Sequence, residues 1–355
     1  MTVYLIMAAL IFSLIFIDGV KLKRRYYFIL CLLCFLGLLR GQSVGEDVLK
    51  YCINISHTSF DPVTWNYYTI FEDGYNYIIA AYNSVIGGSP LFFIGLCSLF
   101  FILSWNTYAR SKVSNYGIAL FVLYFLGYYN QSYNIIRQYF ALSIMLCIIS
   151  MFDLENLKKT GILLLISTTL FVGTFFHNSI YLLLLIPLYI ILRKLNLIKK
   201  NIFYIMIVGT TIIFYIGIVR TFLSEYSAAI FLINTKSDTY FHSSLEDINE
   251  ANEYSIIRLL IDNAFCLFMI NKSPKLDIYV FLYMCGQIVI NLFAPLDVLF
   301  ARLSSVLIIP AIPAVVHIWN DYKTKIVISC YLFIIFGNLM VKNYGATLPY
   351  MFFFE

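Results

Sequence analysis

Charged side chains are scarce in this chain. They make up 12% of its 355 residues, whereas roughly a quarter is usual in soluble domains. So few charges cannot cover a water-facing surface, which excludes a soluble globular protein. The apolar residues, 61% of the chain, fall in blocks long enough, or nearly long enough, to cross the hydrocarbon core of a bilayer. Backbone groups in lipid must be satisfied within their own segment, so the blocks predict helices.

Motifs of nucleotide, serine-hydrolase and metal chemistry are also missing. The chain has no Walker A sequence, no G-x-G-x-x-G, no G-x-S-x-G and no H-E-x-x-H. Its four histidines lie far apart, and we expect neither a cofactor nor a metal. Nucleic acid is excluded as a partner, because the net charge of +5 is spread over short clusters and forms no basic stripe.

What the chain does have is a succession of about twelve apolar blocks separated by polar breaks. The blocks are Val3–Ile17, Tyr26–Leu39, Leu91–Trp105, Tyr116–Tyr129, Ile135–Phe152, Gly161–Phe176, Ile180–Leu192, Ile202–Val219, Ile256–Ile270, Ile278–Phe293, Leu303–Trp319 and Ile326–Val341. They predict one polytopic, all-α integral membrane domain over residues 1–355. Tyr75–Ile86 is a further re-entrant or interfacial candidate.

Lysine and arginine set the orientation of this bundle. With Lys21–Arg25 in the cytoplasm, alternation makes every later inside loop short and basic, as the positive-inside rule requires. Acidic residues collect outside, where two long segments lie at about 40–90 and about 220–254. Met1–Ile17 carries no positive charge and predicts a retained first helix with its N-terminus outside. We expect a multi-pass protein of the bacterial inner membrane, with its active face periplasmic.

Several basic side chains depart from this pattern near the predicted outer ends of helices. They are Arg40, Arg137, His177, Arg258 and Arg302. A charge beside a span costs on the order of 2.5–3.5 kcal/mol and usually faces the bundle interior. Guanidinium groups bind multi-oxygen anions by forked hydrogen bonds, and helix N-termini add partial positive charge, so a lipid pyrophosphate is the predicted ligand. The alternatives are interfacial anchoring and a structural ion pair such as Arg258 with Asp262.

Groups that can accept a proton lie on the same predicted face. His177 can act as a general base or anion ligand, or it can hydrogen-bond between packed helices. The first external segment holds Glu46, Asp47, Glu72 and Asp73. Any one of these carboxylates can deprotonate a sugar hydroxyl, and each is also explained as a solvated loop charge.

Short motifs occur along the chain in one order. They are R-G-x-x-x-G-x-D (Arg40, Gly41, Gly45, Asp47), E-x-G-Y (Glu72, Gly74, Tyr75), N-x-x-R-Q-x-x-A (Asn134, Arg137, Gln138, Ala141), F-H-N-S (Phe176–Ser179) and a late outer Arg302. In this order the chain resembles the EpsG-like family, the Wzy-type polymerases of bacterial O-antigen and exopolysaccharide. The resemblance implies a metal-independent glycosyltransferase. It would move the glycan growing on undecaprenyl pyrophosphate onto an incoming lipid-linked repeat unit at the periplasmic face.

The resemblance also implies roles for particular residues. Pyrophosphate binding falls to Arg137, Arg302, Arg40, Arg258 and Gln138, and acceptor activation to His177 and Asp47. Arg40 is expected to order the first external segment as well. The implied partners are an undecaprenyl-pyrophosphate-linked oligosaccharide and membrane lipid, with a chain-length regulator and a flippase beside them.

Other functions of multi-span proteins remain open at this stage. A flippase of lipid-linked sugars would carry charges through the depth of the bundle and show repeat symmetry, and this chain has few such charges. An O-antigen ligase would concentrate its arginines and histidine in one dominant late loop. A membrane acyltransferase would place histidine and arginine on an early span, and a structural scaffold is the remaining alternative.

Overall fold

The computed structural model describes residues 1–17, 19–65, 71–216, 256–293, 302–343, 347–348 and 350–352. Within these ranges the chain forms fifteen α-helices and short 3-10 helices. The same ranges hold no strand, apart from one isolated antiparallel bridge between Arg40 and Phe352. The predicted all-α fold class is confirmed.

The helices follow the apolar blocks closely. They are α1 (Thr2–Phe12), α2 (Gly19–Leu38), α3 (Val48–His57), α4 (Asp73–Val85), α5 (Pro90–Lys112), α6 (Tyr116–Phe125), α7 (Tyr128–Gln131), α8 (Ile136–Ser150), α9 (Lys159–Phe175), α10 (Leu185–Lys194), α11 (Lys200–Ile216), α12 (Ile256–Lys272), α13 (Ile278–Phe293), α14 (Ser305–His317) and α15 (Tyr322–Lys342). The 3-10 helices are Ser13–Phe16, Pro62–Thr64 and Asn178–Leu184. Every predicted block overlaps a helix, and α4 covers most of the extra candidate. Only α3 and the 3-10 turn after it lie outside the predicted blocks.

Polar residues at helix starts explain several of these boundaries. The Ser89 side chain accepts a hydrogen bond from the Leu91 amide, and Pro90 occupies the first helical position of α5. Asn115 accepts from the Ile118 amide at the start of α6. Asp321 accepts from the Thr324 amide at the start of α15. Each cap satisfies a backbone donor that the helix itself leaves unpaired.

Length and composition suit a membrane. Helices α5 and α15 are long and apolar enough to cross one by these two criteria. Shorter apolar helices lie at Thr2–Phe16, Tyr116–Phe125, Ile136–Ser150, Lys159–Phe175, Lys200–Tyr215, Ile278–Phe293 and Ser305–His317. Large apolar side chains stay exposed on these helices, such as Phe171 on α9 and Ile205 on α11, 56% and 71% exposed. An exposed apolar helix face is typical of contact with lipid. The number of spans, about twelve, stays a prediction.

The described chain divides into two compact units, one of residues 1–184 with 315–355 and one of residues 185–314. In the first unit α5 packs against α2 and α8, and α8 packs against α9. Helices α3 and α4 pack on each other, α3 also on α5 and α4 on α9. In the second unit α13 packs against α10, α11 and α12. The single membrane domain over the whole chain stays a prediction.

A buried apolar cluster fixes α3 and α4 to the bundle. It includes Tyr75 and Ile79 of α4, Ile94 of α5 and Ile136 of α8, all 1% exposed or less. Burial of one such side chain stabilises the fold by about 1.5–3 kcal/mol. The segment that carries α3 and α4, predicted to be external, is therefore anchored where it meets the start of α8.

Candidate functional site

Arg137, the second residue of α8, is the centre of a polar cluster in the first unit. Its Nη1 donates to Glu72 Oε2 at 2.6 Å, and its Nε donates to the Tyr51 hydroxyl at 3.4 Å. The guanidinium carbon lies 4.6 Å from the centroid of the Phe71 ring. The side chains of Arg137 and Glu72 are 15% and 19% exposed. The pair is thus only partly screened by solvent and still open to a ligand.

The residues on either side of this pair hold it in place. The Tyr51 and Phe71 rings stack with centroids 5.2 Å apart and 26° between their planes. Glu72 stands at the N-cap of α4 with an extended backbone, yet its side chain caps no amide of that helix. Its carboxylate is directed to Arg137 instead, so the cluster joins the start of α4 to the start of α8.

The start of α4 lies directly against the end of α9. A Cβ at Gly74 would stand 2.6 Å from the Phe175 carbonyl oxygen, so only glycine allows this approach. The turn that carries His177 begins at once after α9. The motif residues Glu72, Gly74 and His177, far apart in sequence, therefore meet at one end of the first unit.

Hydrogen bonding fixes the tautomer of His177. The backbone amide of Ser179 donates to His177 Nδ1 at 3.2 Å, and the Ser179 hydroxyl lies 2.8 Å from the same nitrogen. A backbone N–H can only donate, so Nδ1 is the acceptor and the neutral ring carries its proton on Nε2. Burial, and secondly the positive charge of Arg137, lower the pKa of His177 from 6.5 to about 3. At neutral pH the imidazole is uncharged and offers Nε2–H as a donor.

Asp47 lies beside the turn that precedes α8. Its backbone amide donates to Asn134 Oδ1 at 2.9 Å, and its carboxylate is 3.5 Å from Lys50 Nζ. Gly45 has φ of +116°, and a Cβ there would meet the Tyr133 carbonyl oxygen at 3.0 Å. The R-G-x-x-x-G-x-D motif thus packs against the N-x-x-R-Q motif, which explains why glycine is needed at this position.

Arg40 is completely buried in the first unit. Its guanidinium carbon lies 4.7 Å from the centroid of the Tyr133 ring. Its three guanidinium nitrogens have no hydrogen-bond partner among the residues that the structure describes. Burial lowers the pKa of Arg40, and the nearby Tyr133 opposes that shift. The backbone bridge to Phe352 and the hydrogen bond from the Gly41 amide to the Met351 carbonyl, 2.7 Å, hold residues 350–352 across this position. We call residues 350–352 the C-terminal strap.

The other predicted ligands of pyrophosphate are divided between the two units. Gln138 is buried within α8, at 2% exposure. In the second unit Arg258 Nε donates to Asp262 Oδ2 at 2.8 Å, which is the ion pair that their spacing offers as the alternative to anion binding. Arg302 is half-buried and precedes α14, and its carbonyl accepts from the hydroxyl of Ser305, the first residue of that helix, at 2.7 Å. Arg137, His177 and the backbone of Asp47 belong to the first unit, and Arg258 and Arg302 to the second.

A second polar network connects three helices of the second unit. Asn291 Nδ2 donates to Thr210 Oγ1 at 3.0 Å, and Asn263 Nδ2 to Thr211 Oγ1 at 2.9 Å. Gln287 Nε2 donates to Asn291 Oδ1 at 3.1 Å. Such bonds between membrane helices contribute about 0.6–2 kcal/mol each. These polar residues lie within three separate apolar blocks of the chain, so no local pattern indicates that they meet.

Sequence reasoning named Glu72 as one of several loop carboxylates and did not assign Tyr51 or Phe71 at all. The E-x-G-Y motif marks Glu72 and the N-x-x-R-Q motif marks Arg137, but neither motif reveals that these two side chains are partners. Within the described ranges no group of three or more His, Cys, Asp and Glu side chains could hold a metal ion. The guanidinium and carboxylate of the polar cluster are groups that can bind an anion and transfer a proton.

Apolar helices that carry this arginine–carboxylate cluster define a helical membrane protein with a site suited to an oxyanion. The profile of the EpsG family matches residues 23–354 of the chain. The chain belongs to the EpsG family, and EpsG-like proteins are Wzy-type polymerases. The family membership predicted from the motifs is thus confirmed. No curated protein and no solved structure matches the chain.

Proposed function

We propose that this protein polymerises a bacterial O-antigen or exopolysaccharide at the periplasmic face of the inner membrane. It transfers the glycan growing on undecaprenyl pyrophosphate to the incoming lipid-linked repeat unit. The observation that carries the proposal is Arg137 at the start of α8, half-buried and already holding a carboxylate at 2.6 Å. A guanidinium that binds one oxyanion in this geometry suits a phosphate oxygen equally well.

The chemistry requires stabilisation of a leaving group. When the glycosidic bond to the donor breaks, negative charge develops on the pyrophosphate, and a cation placed there in advance lowers the barrier. The N-terminus of α8 adds partial positive charge at the same place. The donor is already activated by its pyrophosphate, so the reaction needs no nucleotide.

The remaining predicted residues keep the roles that the family resemblance implies. Arg40, Gln138, Arg258 and Arg302 remain proposed ligands of lipid pyrophosphate. His177, uncharged and protonated on Nε2, can donate to a phosphate or a sugar oxygen. Asp47 and His177 are the residues that the resemblance assigns to activation of the acceptor. A chain-length regulator and a flippase are the proposed partners beside the lipid-linked substrate.

A gel of surface polysaccharide tests the proposal. Cells that lack the protein should carry lipopolysaccharide with at most one repeat, and Arg137→Ala should reproduce this pattern when expressed at the wild-type level. Loss of one such charge stabiliser slows a reaction by about 10²–10³-fold. Arg137→Lys should also fail, because lysine cannot form the forked contact.

A matched control is available in Arg110, an exposed arginine 5.7 Å from the Tyr27 ring at the end of α5. Arg110→Lys should leave the ladder of glycan lengths unchanged. Full activity of Arg137→Lys would contradict the pyrophosphate role. If deletion instead removed the lipid-linked repeat from the periplasmic leaflet, the protein would be a flippase.

A further inference from the structure

The Arg137–Glu72 contact has a consequence for any anion that binds Arg137. Nη1 already donates to Glu72, Nε faces the Tyr51 hydroxyl, and one face of the guanidinium lies on Phe71. A pyrophosphate oxygen that binds at Nη1 in the forked geometry shares or replaces the Glu72 oxygen there. Two oxyanions on one guanidinium repel each other, so binding of the donor loosens Glu72 from Arg137.

Glu72 is free to respond because little else holds its side chain. It does not cap α4, although it occupies the capping position. Arg137 is its ion-pair partner among the described residues. With its side chain 19% exposed, a carboxylate released from Arg137 keeps a route to a ligand outside the protein.

The other proton acceptors near Arg137 are less suitable. Burial raises the pKa of the Tyr51 phenol, so it does not ionise at neutral pH. His177 accepts from Ser179 at Nδ1 and carries its proton on Nε2, which makes Nε2 a donor and not a proton acceptor. The Asp47 carboxylate faces Lys50 at 3.5 Å, and it is the Asp47 backbone that meets the turn before α8.

We infer that Glu72 is the general base of the polymerase, and that exchange of Glu72 for a pyrophosphate oxygen on Arg137 couples donor binding to activation of the acceptor. The inference rests on the proposed function and names a residue for its proton transfer. Glu72 takes the proton of the acceptor hydroxyl as that oxygen forms a bond to the anomeric carbon of the donor glycan. The bond from that carbon to the phosphate oxygen breaks, and the electron pair leaves with undecaprenyl pyrophosphate. His177 Nε2–H then donates to an oxygen of the bound substrates.

The test separates binding from turnover in the purified full-length protein, kept in detergent with lipid. Binding is measured with undecaprenyl pyrophosphate, and with inorganic pyrophosphate to learn whether the lipid is needed. Turnover is measured as lengthening of a lipid-linked repeat unit. Glu72→Gln keeps the shape of the side chain and removes its charge.

The effect of Glu72→Gln on pyrophosphate binding distinguishes a general base from a residue that only positions Arg137. If Glu72 is the base, turnover falls by about 10²–10⁴-fold, while pyrophosphate binds as tightly as in the wild type or more tightly, because its competitor for Arg137 is gone. If Glu72 only positions Arg137, binding weakens in parallel with turnover, and the inference is wrong. Turnover within about threefold of the wild type would equally overturn it.

Two further variants keep the test decisive. Glu155→Gln makes the same change at another half-buried glutamate, in a predicted inside loop, and should alter neither quantity. Glu72→Asp keeps the carboxylate on a side chain one methylene shorter, and it should retain more turnover than Glu72→Gln at equal binding of pyrophosphate. If Glu72→Gln does not fold, Glu72→Asp alone decides the question. A Glu72→Asp protein that binds pyrophosphate but lengthens the glycan at the wild-type rate would then contradict the inference. A wild-type protein that never lengthens the glycan would refute the proposed function itself, whereas a wild type that polymerises beside an equally active Glu72→Gln refutes only the base.

Discussion

At the scale of single residues, the first unit contains two arginines whose buried charges are compensated in different ways. Arg137 keeps its charge by pairing with Glu72 at 2.6 Å. Arg40 is fully buried and stacks on Tyr133. Burial of a charge costs several kcal/mol unless partners compensate it. Arg40 therefore reduces the stability of the folded protein.

Replacing Arg40 by methionine should make this cost visible. Met keeps an unbranched apolar stem of similar reach and removes the charge, so unfolding in detergent should occur at an unchanged or higher temperature, a gain of up to about 1–4 kcal/mol. Arg40→Ala, which leaves a cavity, should unfold earlier. If Arg40 also binds pyrophosphate as predicted, Arg40→Met should lose glycan lengthening while it gains stability. A fall in unfolding temperature equal to that of Arg40→Ala would contradict the expected cost.

His177 should give the protein a dependence on acid. Its pKa is about 3 when folded and 6.5 when exposed. The unfolded chain therefore binds more protons than the folded one between these values, and stability is lost as the pH falls from 6.5 toward 3. His177→Gln cannot take up a proton in this range. When the unfolding temperature is measured at several pH values between 6.5 and 3, it should fall less steeply for His177→Gln than for the wild type. Equal slopes of unfolding temperature against pH would show that other groups dominate the acid dependence.

At the scale of the elements, the site depends on how closely α4 approaches α9. The approach is set by Gly74, where an added Cβ would stand 2.6 Å from the Phe175 carbonyl oxygen. Because one contact partner is backbone, the strain cannot be relieved by a rotamer change. The whole start of α4, with Glu72, must move.

Gly74→Ala should thus lower both stability and activity. Overpacking of this kind costs about 1–3 kcal/mol, and a shift of Glu72 away from Arg137 should weaken glycan lengthening. Gly337 on α15 is a matched control, because no heavy atom lies within 4 Å of its added Cβ. Gly337→Ala should be neutral or should raise the unfolding temperature, since alanine favours helix by about 0.5–1 kcal/mol over glycine. Equal unfolding temperatures for the two variants would contradict the close approach.

The elements were also the most predictable part of the structure. Apolar runs dictate helices in lipid, and every predicted block overlaps a helix. The amphipathic α3 was missed because a ten-residue helix between polar turns has no long apolar run. The pairing of Arg137 with Glu72 joins residues 65 positions apart. Nothing local in either motif encodes that distance, which is set by the packing of α3 and α4 on α5, α8 and α9.

At the scale of the whole molecule, the proposed function requires Arg137 and Arg302 on the same side of the membrane. Reporter fusions just before α8 and just before α14 should both report a periplasmic location, and fusions near Lys158 a cytoplasmic one. The physical reason is the positive-inside rule, which places the lysine-rich loops in the cytoplasm. A cytosolic reporter at either arginine, or reporters on opposite leaflets, would exclude a common role in pyrophosphate binding.

The C-terminal strap has a consequence for how the protein is made. Helices α1 and α2 leave the ribosome first, but the residues that pair with the backbone of Arg40 and Gly41 follow only after all of the second unit. The Tyr4 hydroxyl likewise donates to the carbonyl of Thr347, which is synthesised 343 positions later in the chain. The first unit therefore cannot be completed during its own synthesis. Until translation has passed residue 352, the newly made chain carries Arg40 and Gly41 without their backbone partners, and a quality-control protease or chaperone can recognise this unpaired segment.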